Sequence, residues 1–151
     1  TGDPAAVYPD RVFSMREKKE FLRGIDFLIL AIPQVADTVG IIGENELREL
    51  PPHAYLLNPA RGPLVKEEAL LKALRENWIA GAALDTHYYY PMPADHPLWQ
   101  MPNVLMTPHI SGSSASNRFL ERIWDIFYQN VTRFAQGKEV LNKLSAEQLK
   151  G

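Results

Sequence analysis

Three side chains able to do chemistry stand just past three short apolar runs. Arg61 lies in Asn58-Pro59-Ala60-Arg61-Gly62, after Ala54-Tyr55-Leu56-Leu57. Asp85 ends Ala80-Gly81-Ala82-Ala83-Leu84-Asp85, and His109 follows Val104-Leu105-Met106 in Thr107-Pro108-His109. A guanidinium can hold a carboxylate with two parallel hydrogen bonds, which a lysine cannot reproduce. A carboxylate can accept from a ligand amide. An imidazole exchanges a proton near neutral pH. Each has a structural alternative: Arg61 pairing with Glu67 or Glu68 at the next helix start, Asp85 serving as a cap or turn residue, His109 as a structural histidine. Pro59 and Gly62 suggest a fixed loop around Arg61, and Pro108 and Gly112 flank His109. The coincidence of the three on one rim says more than any one of them.

For these groups to meet, the runs must be parallel strands, because ligands of open α/β sheets bind beyond the carboxyl ends of the strands. A fourth run, Phe27-Leu28-Ile29-Leu30-Ala31, leads into Ile32-Pro33 and then Thr38. None of the runs alternates polar with apolar, which predicts strands buried on both faces under helices. Helices are expected between them. Ser14-Met15-Arg16-Glu17 has capping-box spacing, with Gly24 as a stop. Glu44 to Leu50 ends at Pro51-Pro52, and Lys66 to Asn77 places Leu70, Leu71 and Leu74 on one side. The longest helix carries Leu120, Ile123, Phe127, Val131 and Phe134, is capped by Ser113 or Ser114, ends near Gly137, and is expected to pack on more than one neighbour. Strand–helix alternation predicts right-handed parallel crossovers. Asp85 to Asn103 breaks the pattern with four prolines, Tyr88-Tyr89-Tyr90 and no helical period. A connection of that length is often functional. The alternative is a surface excursion covered by a neighbouring subunit.

Composition narrows the function classes. The 151 residues include no cysteine, and 16 Lys+Arg against 18 Asp+Glu leave a net charge of −2. A disulfide scaffold and a Cys-based zinc site are excluded. The balance argues against nucleic-acid binding. No apolar run approaches the roughly 18 residues of a membrane span, so no membrane partner is expected. Cysteine-free composition fits a cytoplasmic protein. His53, His87, His96 and His109 include no H-E-x-x-H pair, and a metal held by Asp85, His87, Asp95 and His96 is not expected. No two glycines are two apart, so a G-x-G-x-x-G phosphate cradle is absent and must precede Thr1 if a dinucleotide binds. The chain opens at Thr1 with no initiator Met, as expected of a fragment.

From about Asp26 to Asn142 the ordered motifs resemble the D-isomer-specific 2-hydroxyacid dehydrogenases. Asp26 to Pro33 with Thr38 and Gly40-Ile41-Ile42 resembles the family's strand and cofactor-side loop. Leu56 to Val65 resembles its Arg motif. Ala80 to Asp85 with Pro91 to Trp99 resembles its third signature, and Pro102-Asn103-Val104 with Thr107 to Gly112 completes the set. The resemblance implies an α/β fold: part of a doubly wound, Rossmann-like parallel sheet in three α/β/α layers. Residues 1–110 would be the C-terminal half of a nucleotide-binding domain. Residues 111–151 would return toward a substrate domain lying mostly outside the chain, and one sheet edge would be left unpaired.

The resemblance also implies chemistry. NAD or NADP would be the cofactor, lined by Ile32, Pro33, Thr38, Pro59, Ala60, Arg61, Asp85, His109, Ser111 and Gly112. Arg61 would bind the carboxylate of a small 2-oxo or 2-hydroxy acid, His109 would exchange the proton, and Asp85 would bind the nicotinamide carboxamide. A homodimer through the nucleotide-binding domain is implied. One departure stands out: the family usually has a Glu beside the catalytic histidine where this chain has Tyr90. A phenol carries no charge at neutral pH, so carbonyl reduction is expected to fade at lower pH than in Glu-bearing relatives. The formate dehydrogenase branch, which has Gln there, and a non-catalytic dinucleotide-binding regulator are the alternatives.

Overall fold

A computed structural model of the chain describes residues 7–112 and 117–143. The expected Ser113 or Ser114 cap lies outside the described residues. Four strands, β1 (Phe27–Ile29), β2 (Tyr55–Asn58), β3 (Gly81–Leu84) and β4 (Val104–Met106), form one parallel sheet in the order β1-β2-β3-β4. Helices α1 (Lys18–Arg23), α2 (Glu44–Glu49) and α3 (Glu67–Arg75) fall before and between the strands, and α4 (Asn117–Ala135) follows them. The expected helix starts have local causes. The Glu17 carboxylate accepts from both the Ser14 backbone N–H (2.9 Å) and hydroxyl (2.7 Å), and Glu46 accepts from the Gly43 N–H (2.9 Å). Orphan donors at helix starts are met this way.

The register explains the core. Leu28, Leu56 and Ala82 are cross-strand neighbours in one row, and all three are buried. They pack with Leu22, Leu47, Leu70 and Leu74 of the helices into one apolar cluster. A fully buried leucine contributes about 1.5–3 kcal/mol. The glycine in β3, a poor strand former, is also accounted for. A Cβ on Gly81 would meet the Asn103 carbonyl oxygen at 2.4 Å, so only a glycine lets that carbonyl in to accept from the Ala82 N–H at 3.0 Å.

Three expectations need correction. The strands are not covered on both faces. Successive side chains alternate between faces, and on the second face Phe27, Ile29 and Leu105 are 58–65% exposed. The described residues therefore supply two of the three expected layers, the sheet and the helices on one side of it. The long helix α4 does not pack on several neighbours: none of its residues is buried, although its apolar residues recur at helical spacing. It does end as expected, with Gly137 left-handed (φ 66°) and its N–H bonded to the Phe134 carbonyl. Finally, the proline-rich connection is not wholly irregular, because Pro97–Gln100 forms a 3-10 turn. Among the described residues, no helix is long and apolar enough to cross a membrane.

Candidate active site

Because the strands are parallel, their carboxyl ends share one edge, and Arg61, Asp85 and His109 follow β2, β3 and β4 at that edge. A cavity of about 500 Å³ opens there, walled by Leu30, Ile32, Pro33, Pro59, Ala60 and Arg61 together with Gln34. The sequence did not single out Gln34; its only signal is its place after Pro33. Thr38 stands off this wall. Its hydroxyl donates to the Pro33 carbonyl and accepts from the Val35 N–H, each at 2.8 Å, and so shapes the turn beyond the strand.

Arg61 is presented by a buried asparagine. Asn58 Oδ1 accepts from the N–H groups of Ala60 and Arg61 (3.2 Å each), and its Nδ2 donates to the Arg61 carbonyl at 2.8 Å. This side-chain-closed turn sets the loop independently of the guanidinium. The guanidinium donates to the Ala60 carbonyl at 2.6 Å. Among the described residues it forms no salt bridge. Glu67, one of its possible structural partners, instead accepts from Tyr89 Oη (2.9 Å) and bonds buried His96 Nε2 (2.6 Å). Leu98 N–H donates to His96 Nδ1, so the His96 proton lies on Nε2, facing Glu67.

His109 sits on a turn with φ 58°, the left-handed region. Asp85 holds that turn. One carboxylate oxygen accepts from the Thr107 hydroxyl and the Ile110 N–H (2.8 Å), the other from the Ser111 N–H (2.9 Å) and hydroxyl (2.6 Å). Burial opposes the charge, but these donors outweigh it and hold the Asp85 carboxyl well below the usual carboxylate range. A carboxylate offers about four acceptor positions, and the turn fills them. A carboxamide reaching Asp85 must share or replace one of these bonds. Ser111 is committed to Asp85, while a Cβ on Gly112 would meet nothing within 4 Å among the described residues.

Tyr90 reaches the histidine. Its oxygen lies 3.1 Å from His109 Nδ1 and 3.1 Å from the His87 backbone nitrogen. Beside it, Tyr89, Trp99, Met92 and Met106 help wall a second cavity of about 360 Å³. His87 Nε2 lies 2.9 Å from the Thr107 carbonyl, which can only accept, so Nε2 carries the proton and buried Nδ1 has no partner among the described residues.

The family model "D-isomer specific 2-hydroxyacid dehydrogenase, NAD binding domain" matches residues 3–111. The chain belongs to this family. The match to its NAD-binding domain runs from before the first helix to two residues past His109. Glyoxylate reductase of Thermofilum pendens is 36% identical over 98% of this chain and 45% of its own length. Glyoxylate/hydroxypyruvate reductase A of Klebsiella pneumoniae is 40% identical over 87% of this chain and 41% of its own. The D-isomer specific 2-hydroxyacid dehydrogenase of Xanthobacter autotrophicus Py2, solved with NADPH and MES, superposes with a TM-score of 0.79 at 35% identity, over 89% of this chain and 42% of that one. The chain thus spans less than half the length of these relatives.

Cofactor sites are concave and mostly apolar, with a few polar groups that fix orientation. The cavity edged by Ile32, Pro33, Pro59, Ala60, Gln34 and Arg61 has that character and ample volume. A glycine-rich phosphate cradle is not among the residues of this chain. The apolar walls and polar rim of this cavity are compatible with a bound dinucleotide.

Proposed function

We propose that the protein containing this chain is an NAD(P)-dependent oxidoreductase that interconverts a small D-2-hydroxy acid and its 2-oxo acid. Glyoxylate-sized acids are the first substrates to try, because reductases similar to this chain carry that name. The observation that carries the reading is the shared edge. A guanidinium that forms no salt bridge among the described residues follows β2 and an imidazole follows β4, on either side of β3. Adjacent strands lie about 4.8 Å apart, so the two loops start about 10 Å from each other, a span that a bound 2-oxo acid and nicotinamide can bridge.

When bound, the nicotinamide supplies or takes the hydride. The chain's residues orient and move the proton. Arg61 grips the substrate carboxylate with paired hydrogen bonds and draws charge from the neighbouring carbonyl. His109 Nε2 delivers the proton to the carbonyl oxygen in reduction and takes it back in oxidation. Asp85 keeps the His109 turn in place, and it would hold the carboxamide by sharing or giving up one of the four bonds described above. Ile32, Pro33, Pro59 and Ala60 exclude water from the ring, with Thr38, Ser111 and Gly112 at the margin.

Residues 1–110 then form the second half of a nucleotide-binding domain, and 111–151 lead toward a substrate domain. The open sheet face and the uncovered apolar side of α4 suit burial by the remainder of the protein and by a second copy of it. A cytoplasmic homodimer is part of this reading, tested by fractionation and sedimentation. The deciding experiment is turnover of a panel of 2-oxo acids by the full-length protein with NADH and with NADPH. Cofactor binding without turnover of any acid in the panel, glyoxylate and hydroxypyruvate included, would reject the enzyme reading.

A further inference from the structure

Tyr90 is set by a donor that cannot reverse its role. The His87 backbone N–H lies 3.1 Å from Tyr90 Oη and can only donate. The phenol oxygen therefore accepts at that position. Its own hydrogen is then free to point at His109 Nδ1, also 3.1 Å away. The rings stand 5.8 Å apart at 42°, so the contact is made at the ring edges. The other titratable groups near this turn are engaged elsewhere. Asp85 spends both oxygens on the 107–111 turn, and His87 Nε2 is bonded to the Thr107 carbonyl.

We propose that Tyr90 is a positioning residue that fixes neutral His109 as the tautomer with its proton on Nε2. Nδ1 is then an acceptor, occupied by the phenol. Nε2, the nitrogen left for substrate, is a donor whether the ring is neutral or charged. In the charged ring Nδ1 also carries a proton, and the Tyr90 hydroxyl turns to accept it. The consequence is directional. A 2-oxo acid finds a hydrogen-bond donor at Nε2 on both sides of the histidine titration. A 2-hydroxy acid needs a bare Nε2, which requires the phenol hydrogen to swing away while Nδ1 takes up the proton. The site thus favours binding of the oxo acid. This deepens the acid–base reading of His109 and rests on it only for what Nε2 meets.

The test reads the tautomer without turnover. Full-length protein labelled with 15N-histidine gives long-range proton–nitrogen spectra at a pH where the ring is neutral, and His109→Asn identifies the resonance. A protonated Nε2 with a bare Nδ1 is expected, shifting toward a tautomer mixture in Tyr90→Phe. A wild-type ring protonated on Nδ1, or a spectrum that Tyr90→Phe leaves unchanged, overturns the proposal. Should Tyr90→Phe not fold, the wild-type spectrum decides alone. Kinetics give a second readout. With the ring neutral, Tyr90→Phe should raise KM for the 2-oxo acid about fivefold, the scale of one neutral hydrogen bond, with less effect when the ring is charged. An equal change at every pH counts against it. Full activity in His109→Asn would instead sink the acid–base reading and leave the tautomer result standing.

Discussion

Gly62, next to Arg61, lies against the backbone of His87. A Cβ built on Gly62 would sit 2.5 Å from both the carbonyl carbon and the carbonyl oxygen of His87, and 2.9 Å from the Tyr88 nitrogen. The three nearest opposing atoms are all backbone, which cannot bend away as a side chain can. The close approach joins the Arg61 loop to the long connection that carries Tyr90. It ties the two halves of the candidate site together through a missing methyl group.

Gly62→Ala must therefore push those loops apart. Overpacking of this kind costs about 1–3 kcal/mol, and the urea midpoint of the full-length protein should fall accordingly. Turnover should fall further than stability does, since the displaced segments carry Arg61 and Tyr90. A variant with wild-type midpoint and wild-type kcat/KM would show that the contact positions nothing.

Arg61→Lys keeps the charge and loses the two-pronged geometry. A hydrogen bond to a charged group is worth about 1.5–3 kcal/mol, so KM for the 2-oxo acid should rise about 10- to 100-fold. Cofactor affinity, read by fluorescence titration, should fall less than KM rises. Unchanged KM in the lysine variant would remove Arg61 from the role of carboxylate ligand.

Asp85 makes the turn's stability depend on acid. Its carboxyl is held below the usual range by the donors of Thr107, Ile110 and Ser111 in spite of burial. A group whose pKa is lower folded than unfolded stabilises the fold above the unfolded value, near 4 for aspartate. That contribution fades as pH falls below it. Asp85→Asn should accordingly be less stable than wild type at neutral pH, with the gap narrowing from about pH 5 downward. Urea midpoints across pH measure this. A gap independent of pH would mean that the carboxylate charge is not what holds the turn.

The Glu67–His96–Tyr89 cluster pins the proline-rich connection to the start of α3. Glu67→Ala leaves the buried His96 proton without an acceptor, which costs about 1–3 kcal/mol. Glu67→Gln keeps a carbonyl for that proton and should be milder. Equal losses in the two variants, by thermal unfolding of the full-length protein, would show that the acceptor is not what matters.

Much was written in the chain order itself. Short apolar runs spaced by helical segments point to parallel strands for β1, β2 and β3, since a crossover requires that spacing, and β4 joins them through a connection without an α-helix. Once the strands are parallel, Arg61, Asp85 and His109 must fall on one rim. Local signals such as the Ser14–Glu17 box and the Gly137 stop depend on neighbours three or four residues away, so they too were readable.

What needed the tertiary structure was every relation across long separations. Nothing near Asp85 in sequence says that its oxygens are filled by a turn more than 20 residues on. Nothing near Gly62 says that His87 will press on it. The open second face of the sheet and the bare side of α4 were likewise invisible. Periodicity reports which side chains avoid water, but not which surface covers them. The same holds for Tyr90: its hydroxyl acquires a role only because folding brings His109 Nδ1 and the His87 N–H to the two sides of one oxygen.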